Sequence, residues 1–268
     1  MQLYIDIGGT NLRSELHDEN RVIQNSIPSA DTELVSYIEE QLQQYKDITF
    51  IAISYAGQVR DGKIISAPNI AVGEKDIKSF FEQKYNVTLE IENDLNCAAI
   101  AEADHFKEKN LVAIYIGTGI GCGYIENGKL VHSSLNLVGE LGHIPYKKAP
   151  FRCGCGKDNC IELFASGSAL QKHSNIDNVK LADLKEKKSE IAVEFEKALL
   201  FACATAIALF NPKMVVLGGG VVEKNDYLVE FIKENIKEYA PPFSLEGLLI
   251  KKSEITNATL KGASLLQI

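Results

Sequence analysis

The chain has 268 residues, of which 46% are hydrophobic and 24% charged, the balance of an ordinary globular protein of one or two domains. Its 36 acidic against 28 basic residues give a net charge of −8, which argues against a broad nucleic-acid or anionic-membrane surface, since both need clustered Lys and Arg. The opening MQLYIDIGGT has no basic segment followed by an apolar stretch, and the longest apolar run, LLFACATAIALF at 199–210, is too short to cross a bilayer. A cytoplasmic protein is expected.

Strand-like and helix-like patterns alternate, which predicts an α/β fold. Leu3–Ile7 reads as a buried strand ending in Gly-Gly, with further strands at 12–16 and 21–27. Leu34, Tyr37, Ile38 and Leu42 have helical spacing within 32–45, with Asp31 expected as the N-cap. Strands are expected at 49–55 and 88–91, the second followed by a helix to about Phe106. Asn127-Gly128 signals a hairpin leading into a strand at 129–132. A long buried helix at 191–210 stops at Asn211-Pro212. A strand at 214–217, a helix at 226–238, a strand at 248–251 and a final helix from about Ala258 complete the chain.

One unit occurs twice. IDIGGT at 5–10 resembles IYIGTG at 114–119; each is a β-branched strand that breaks into a glycine turn and leads to another strand. Duplication predicts two similar lobes with a cleft between them. Glycine turns fall at Gly8-Gly9, at Gly117-Thr118-Gly119-Ile120-Gly121 and at Gly218-Gly219-Gly220. Backbone without Cβ can approach an anion and direct several N–H groups at it, although a glycine turn taken singly is more often a turn and nothing more. Asp6 and Thr10 flank the first turn, and Asp6 is a candidate for a hydrated Mg²⁺. Neither a Walker lysine pattern nor a strand–GxGxxG–helix unit is present, so a dinucleotide-binding dehydrogenase is disfavoured.

The segment IENDLN at 91–96 ends a strand and opens a helix. Asn93 and Asp94 there are either helix caps or, for Asp94, a carboxylate that takes a proton from a substrate hydroxyl. The densest signal is His143, Cys153, Cys155 and Cys160, spaced H-x9-C-x-C-x4-C. One imidazole and three thiolates form a closed tetrahedral set of the structural zinc kind, without an open position for chemistry. Gly156 is expected to give the loop its sharp return and Asn159 a left-handed position. Glu140 stands three residues before the histidine and Glu162 two after the last cysteine, so a metal would anchor two carboxylates suited to a polyol. Cys97, Cys122 and Cys203 sit in apolar patterns and read as small core residues.

In order along the chain, DIGGT at 6–10, ENDLNCAAIAE at 92–102, GTGIGCGYIENGKL at 117–130, GELGH at 139–143, CGCGKDNCIE at 153–162 and LGGG at 217–220 resemble the ROK family of sugar kinases and sugar-responsive regulators. The resemblance implies a duplicated ribonuclease-H-like (actin-like ATPase) fold, with a smaller lobe over 1–110, a larger one over 111–255 carrying the zinc loop, and the helix at about 256–268 packed back on the first. It implies Asp94 as general base and sugar contacts from Asn69, Asn93, Glu140, His143 and Glu162. It further implies that His143 binds zinc through one ring nitrogen and faces the sugar with the other. ATP is implied at Gly8, Gly9, Thr10, Gly117, Thr118, Gly119, Gly218, Gly219 and Gly220, with Mg²⁺ near Asp6, structural Zn²⁺ on the cysteine cluster, and a homodimer as the assembly often formed.

The expected reaction is ATP-dependent phosphorylation of a hexose at its 6-hydroxyl, with glucose favoured. The alternatives are an N-acetylmannosamine or N-acetylglucosamine kinase and a sugar sensor without catalysis. Departures bear on the sugar: Ala56-Gly57 replaces the family's Pro-Gly, Gln58 stands where N-acetylmannosamine kinases tend to carry arginine, and the loop after Pro68-Asn69 lacks the common tryptophan. The phosphate motif begins at Asp6, ahead of which the regulators' helix-turn-helix is not expected, and DNA binding is not expected either.

Overall fold

The computed structural model describes residues 1–19, 21–66 and 71–266. The chain divides into two compact units: Met1–Asp104 with His132–Leu137 and Ile255–Ile268, and His105–Val131 with Val138–Glu254. The first unit thus also takes in a six-residue piece of chain beyond the division at 110/111 expected from sequence.

The first unit is built from β1 (Gln2–Ile7), β2 (Asn11–His17), β3 (Val22–Pro28), α1 (Leu34–Gln44), β4 (Phe50–Tyr55), β5 (Gln58–Arg60), β6 (Lys63–Ser66), α2 (Ile77–Tyr85), β7 (Thr88–Asn93) and α3 (Asp94–Phe106). Its sheet runs β3-β2-β1-β4-β7, antiparallel over the first three strands and parallel from β1 onward. Central β1 and β4 are almost wholly buried, while β3, polar along much of its length, lies exposed at the edge. Leu3, Ile5, Ile7, Ile51 and Ile53 face one core with Leu34, Ile38 and Phe81 of the helices. Tyr4 and Ala52, on the opposite face, pack with Cys97, Leu260 and Ala263.

Helix α1 begins later than expected. Ser29–Asp31 form a short 3₁₀ turn, and the cap is Glu33, whose carboxylate accepts from Val35 N and Ser36 N at 3.0 and 2.9 Å. The β5–β6 hairpin is not among the expected strands, although Asp61-Gly62, both at positive φ, is its turn.

The second unit holds β8 (Leu111–Ile116), β9 (Ile120–Glu126), β10 (Lys129–Leu130), α4 (Gly167–Ser174), α5 (Leu181–Glu186), α6 (Glu190–Phe210), β11 (Met214–Gly218), α7 (Gly220–Glu223), α8 (Tyr227–Asn235) and β12 (Leu249–Lys252). The chain closes with α9 (Ala258–Ala263), which belongs to the first unit and lies on β1 and β4. The second sheet runs β10-β9-β8-β11-β12, with the same antiparallel start and parallel finish as the first. The internal duplication read from the glycine turns is therefore a duplication of strand order. Ser189 caps α6 through Ile191 N, and Asn211, at φ 43, ends it ahead of Pro212. Phe195, Leu199, Cys203 and Ile207 bury one face of α6 against Val112, Ile114 and Val215; each large side chain so buried contributes about 1.5–3 kcal/mol. β10 ends at Leu130, two residues short of the expected strand, and His132 belongs to the first unit.

Candidate active site

In the first unit, strand register assembles the carboxylate at the end of β1. Asp6 stands opposite Arg13 of β2 and beside Ser54 of β4. Ser54 Oγ donates to Asp6 Oδ1 at 2.8 Å, and the Arg13 guanidinium lies 3.5 Å from Oδ2. Burial raises the Asp6 pKa, and contacts from Ser54, Thr259 and Arg13 only partly oppose that. Neither Arg13 nor Ser54 was singled out from sequence. The signal was the β1–β2 hairpin register, which sets Arg13 across from Asp6 once the glycine turn is fixed.

The corner between β7 and α3 separates the two roles left open for Asn93 and Asp94. Asn93 Oδ1 accepts from Leu95 N at 2.9 Å and Asn96 N at 3.3 Å, and its Nδ2 donates to Gly57 O at 3.1 Å. Asn93 is therefore the cap. Asp94 occupies the first turn of the helix, where its Oδ1 accepts from Leu95 N at 3.0 Å. Burial first, and then the charge on Asp6, push its pKa up to about 7, so that it can gain or lose a proton near neutral pH. Asn69 lies outside the described residues.

The glycine turns differ in what requires glycine. A Cβ on Gly9, Gly117 or Gly220 would meet open space, so packing does not dictate glycine there, and those stretches of backbone are open to a ligand. Gly218 is pressed against the Tyr115 ring, and Gly219, at φ 88, against Ile116 O, so both answer an internal need. Gly167 N and Ser168 N, opening α4, donate to Gly117 O and Thr118 O at 2.8 and 3.2 Å and hold the second turn in shape. In the first unit Ser29 Oγ donates to Gly8 O at 2.6 Å, while Ser29 N donates to Thr10 O.

The cysteine loop gathers the expected set. One ligand atom from each of His143, Cys153, Cys155 and Cys160 falls within 4.8 Å of the others. Cys155 Sγ and Cys160 Sγ are 3.4 Å apart, and Cys153 Sγ lies 3.5 Å from His143 Nδ1. A tetrahedral ion with bonds of about 2.0–2.3 Å holds its donors on the order of 3.5–3.8 Å apart, so the donor set fits zinc in chemistry and spacing. The loop's return is made by Gly156 at φ 90; Asn159 does not take the left-handed position expected of it. His143 Nε2, turned from the thiols, lies 3.5 Å from Glu140 Oε2. Glu162 Oε1 lies 3.3 Å from Cys153 Sγ. Contacts thus run from Glu140 through His143 and Cys153 to Glu162, bringing together the two carboxylates that the sequence placed on either side of the cluster. Cys97, Cys122 and Cys203 are buried, as expected.

A cavity of about 230 Å³ in the second unit, lined chiefly by Phe164, Leu170, Ile191 and Phe195, contains none of these residues. The Lys147–Glu194 ion pair at 2.9 Å sits in its lining, together with His173 and Glu190. The described residues include no helix long and apolar enough to cross a membrane.

Residues 2–268 match the ROK family. A glucokinase of Halalkalibacterium halodurans is 25% identical, covering 94% of this chain and 90% of its own. An N-acetylmannosamine kinase of Vibrio cholerae is 29% identical, covering 84% and 86%. Among solved structures, a ROK family glucokinase from Streptomyces griseus in complex with glucose and AMPPNP superposes with a TM-score of 0.79 at 24% identity, covering 99% of this chain and 98% of that one. A ROK family transcriptional regulator, a homologue of the Escherichia coli MLC protein, does so at 0.82 and 25% identity, covering 98% and 76%. The fold is that of the actin-like ATPases, as in the ROK sugar kinases.

Proposed function

This chain belongs to the ROK family, and we propose that it transfers the γ-phosphoryl group of ATP to the 6-hydroxyl of a hexose, with glucose as the favoured acceptor. The observation that carries the reading is Asp94: a carboxylate on the first turn of α3, next to the capping Asn93, with its pKa raised to about 7. Such a group takes the hydroxyl proton as the oxygen attacks phosphorus, and general-base help of this kind contributes roughly 10²–10⁴-fold. The rest of the acceleration comes from positioning and from neutralising charge on the phosphates.

In this reading Asn69, Asn93, Glu140, His143 and Glu162 hold the sugar hydroxyls. The backbone at Gly8, Gly9 and Thr10, at Gly117–Gly119 and at Gly218–Gly220 receives the nucleotide; the open faces of Gly9, Gly117 and Gly220 support that role most directly. Asp6 would hold Mg²⁺, which when bound neutralises phosphate charge. His143, Cys153, Cys155 and Cys160 would hold a structural Zn²⁺ that stiffens the segment between Glu140 and Glu162.

A second reading, a kinase of an N-acetylated amino sugar, is favoured by the 29% identity to the N-acetylmannosamine kinase of Vibrio cholerae, above the 25% to the glucokinase of Halalkalibacterium halodurans. A third, a sugar sensor without catalysis, draws on the regulator that shares the fold. Coupled ADP release across a panel of glucose, mannose, fructose, N-acetylmannosamine and N-acetylglucosamine separates them. Turnover of glucose supports the first reading, turnover of an acetylated sugar alone replaces it with the second, and sugar binding without turnover replaces both with the third.

A further inference from the structure

The segment His132–Leu137 belongs to the first unit, although the chain on either side of it belongs to the second. It forms no strand or helix, so its backbone pairing does not account for its place. Side chains do, and they converge on Glu92. His132 Nε2 donates to Glu92 Oε2 at 2.8 Å, and Asn136 Nδ2 donates to Glu92 Oε1 at 3.1 Å and to Val59 O at 2.9 Å. On the other side, Glu92 Oε1 accepts from Asn96 Nδ2 at 2.9 Å and from Asn93 N at 2.7 Å. All these partners are donors, as a buried ionised carboxylate requires. Burial alone would push the Glu92 carboxyl up, but the bonds from His132, Asn96, Asn93 N and Asn136 outweigh it and leave the pKa below its usual value. Asn136 sits at φ 54, a left-handed turn that gives the segment a fixed shape on this anchor.

We propose that Glu92 is a positioning residue: it latches the strap His132–Leu137 to the β7–α3 corner and so fixes, through one carboxylate, both that corner and the start of the chain leading to Glu140. The inference rests on the kinase reading for its catalytic consequence and on the contacts alone for the latch. Glu92 immediately precedes Asn93 and Asp94, and its bond to Asn93 N orients the peptide from which the cap and the base project. Leu137, the last residue of the strap, is three residues before Glu140. Losing a hydrogen bond to a charged group loosens such an anchor by about tenfold to a hundredfold.

The test uses the full chain with His132→Ala, His132→Gln and Asn136→Ala. Amide hydrogen exchange reports the latch, and steady-state kinetics reports its consequence. His132→Ala and Asn136→Ala should each speed exchange over 133–140 and lower kcat/KM for the hexose by roughly tenfold or more, chiefly through its KM, with the KM for ATP unchanged. His132→Gln, which keeps a donor near the position of Nε2, should restore both. Wild-type exchange over 133–140 in folded His132→Ala would overturn the latch. Faster exchange with unchanged hexose KM would overturn its role in positioning. A wild-type protein that phosphorylates no sugar would instead sink the kinase reading, and exchange would still decide the latch.

Discussion

Glu162 occupies the space that a side chain on Gly119 would need. One of its carboxylate oxygens lies 3.4 Å from Ile120 N and the other 3.3 Å from Cys153 Sγ. The glycine turn after β8 and the cysteine loop therefore meet at a single carboxylate, so glycine at 119 serves a protein neighbour, whereas Gly117 faces open space. Gly119→Ala should drive Glu162 from its seat and raise the hexose KM on the order of tenfold, the cost of a displaced hydrogen-bonding group. Gly117→Ala should leave the hexose KM alone and raise the KM for ATP. Equal effects of the two substitutions on both constants would reject the distinction.

Asp94 carries two consequences of its raised pKa. The kcat/KM profile should fall on the acid side with a midpoint near 7, and Asp94→Asn should lose roughly 10²–10⁴-fold in kcat while keeping hexose affinity. The stability effect has the opposite sign from that of a salt-bridged aspartate. The folded-state pKa lies above the unfolded value, so the cost of ionising the carboxylate is absent below about pH 4, builds up as the pH rises from about 4 to about 7, and is complete above about 7. Asp94→Asn should then be more stable than wild type at pH 8, by at most about 4 kcal/mol and less as solvent screens the group, with the gain fading towards pH 4. Urea titrations at the two pH values check it; a variant less stable at pH 8 would contradict the assigned environment.

Why the sequence yielded Asp94 but not Glu92 has a physical answer. Asp94 is marked locally: a strand of Leu89 and Ile91 gives way to a helix, and a carboxylate at that junction is visible in six residues. The meaning of Glu92 depends on His132 and Asn136, some forty positions away and in no regular element, so no periodicity foretells the contact. Arg13 is an intermediate case, since its place follows from hairpin register. The metal set was legible because short spacing and unusual residue types coincide. The start of α1 was not, because a 3₁₀ turn displaced the cap from the expected Asp31 to Glu33.

Zinc content tests the cysteine loop. Native protein should carry about one zinc ion per chain by elemental analysis. Removing it with a chelator, or substituting Cys155→Ser, should weaken hexose binding by calorimetry while ATP binding largely survives, because the proposed nucleotide backbone includes turns that contain no ligand of the cluster. Cys155 is the exposed member of the set, so the substitution leaves the core intact. Metal-free protein that binds hexose as tightly as native protein would remove the anchoring role.

Gly139 offers a test of stability in the segment that leads to Glu140. Its φ of 93 lies where L-residues are strained, and an added Cβ would run into the main-chain carbonyl of Cys122. β9 already donates a bond there, from Cys122 N to Gly139 O at 3.2 Å, so the two backbones have no room to part without breaking it. Gly139→Ala should cost about 2–4 kcal/mol, the sum of backbone strain and displaced packing. Because the obstruction is a carbonyl, trimming the cysteine should give no relief: Cys122→Ala with Gly139→Ala should remain at least as unstable as Gly139→Ala alone. Chemical denaturation of the two variants and the wild type decides it, and a double variant recovering most of the loss would show that the Cys122 side chain, not the backbone, sets the limit.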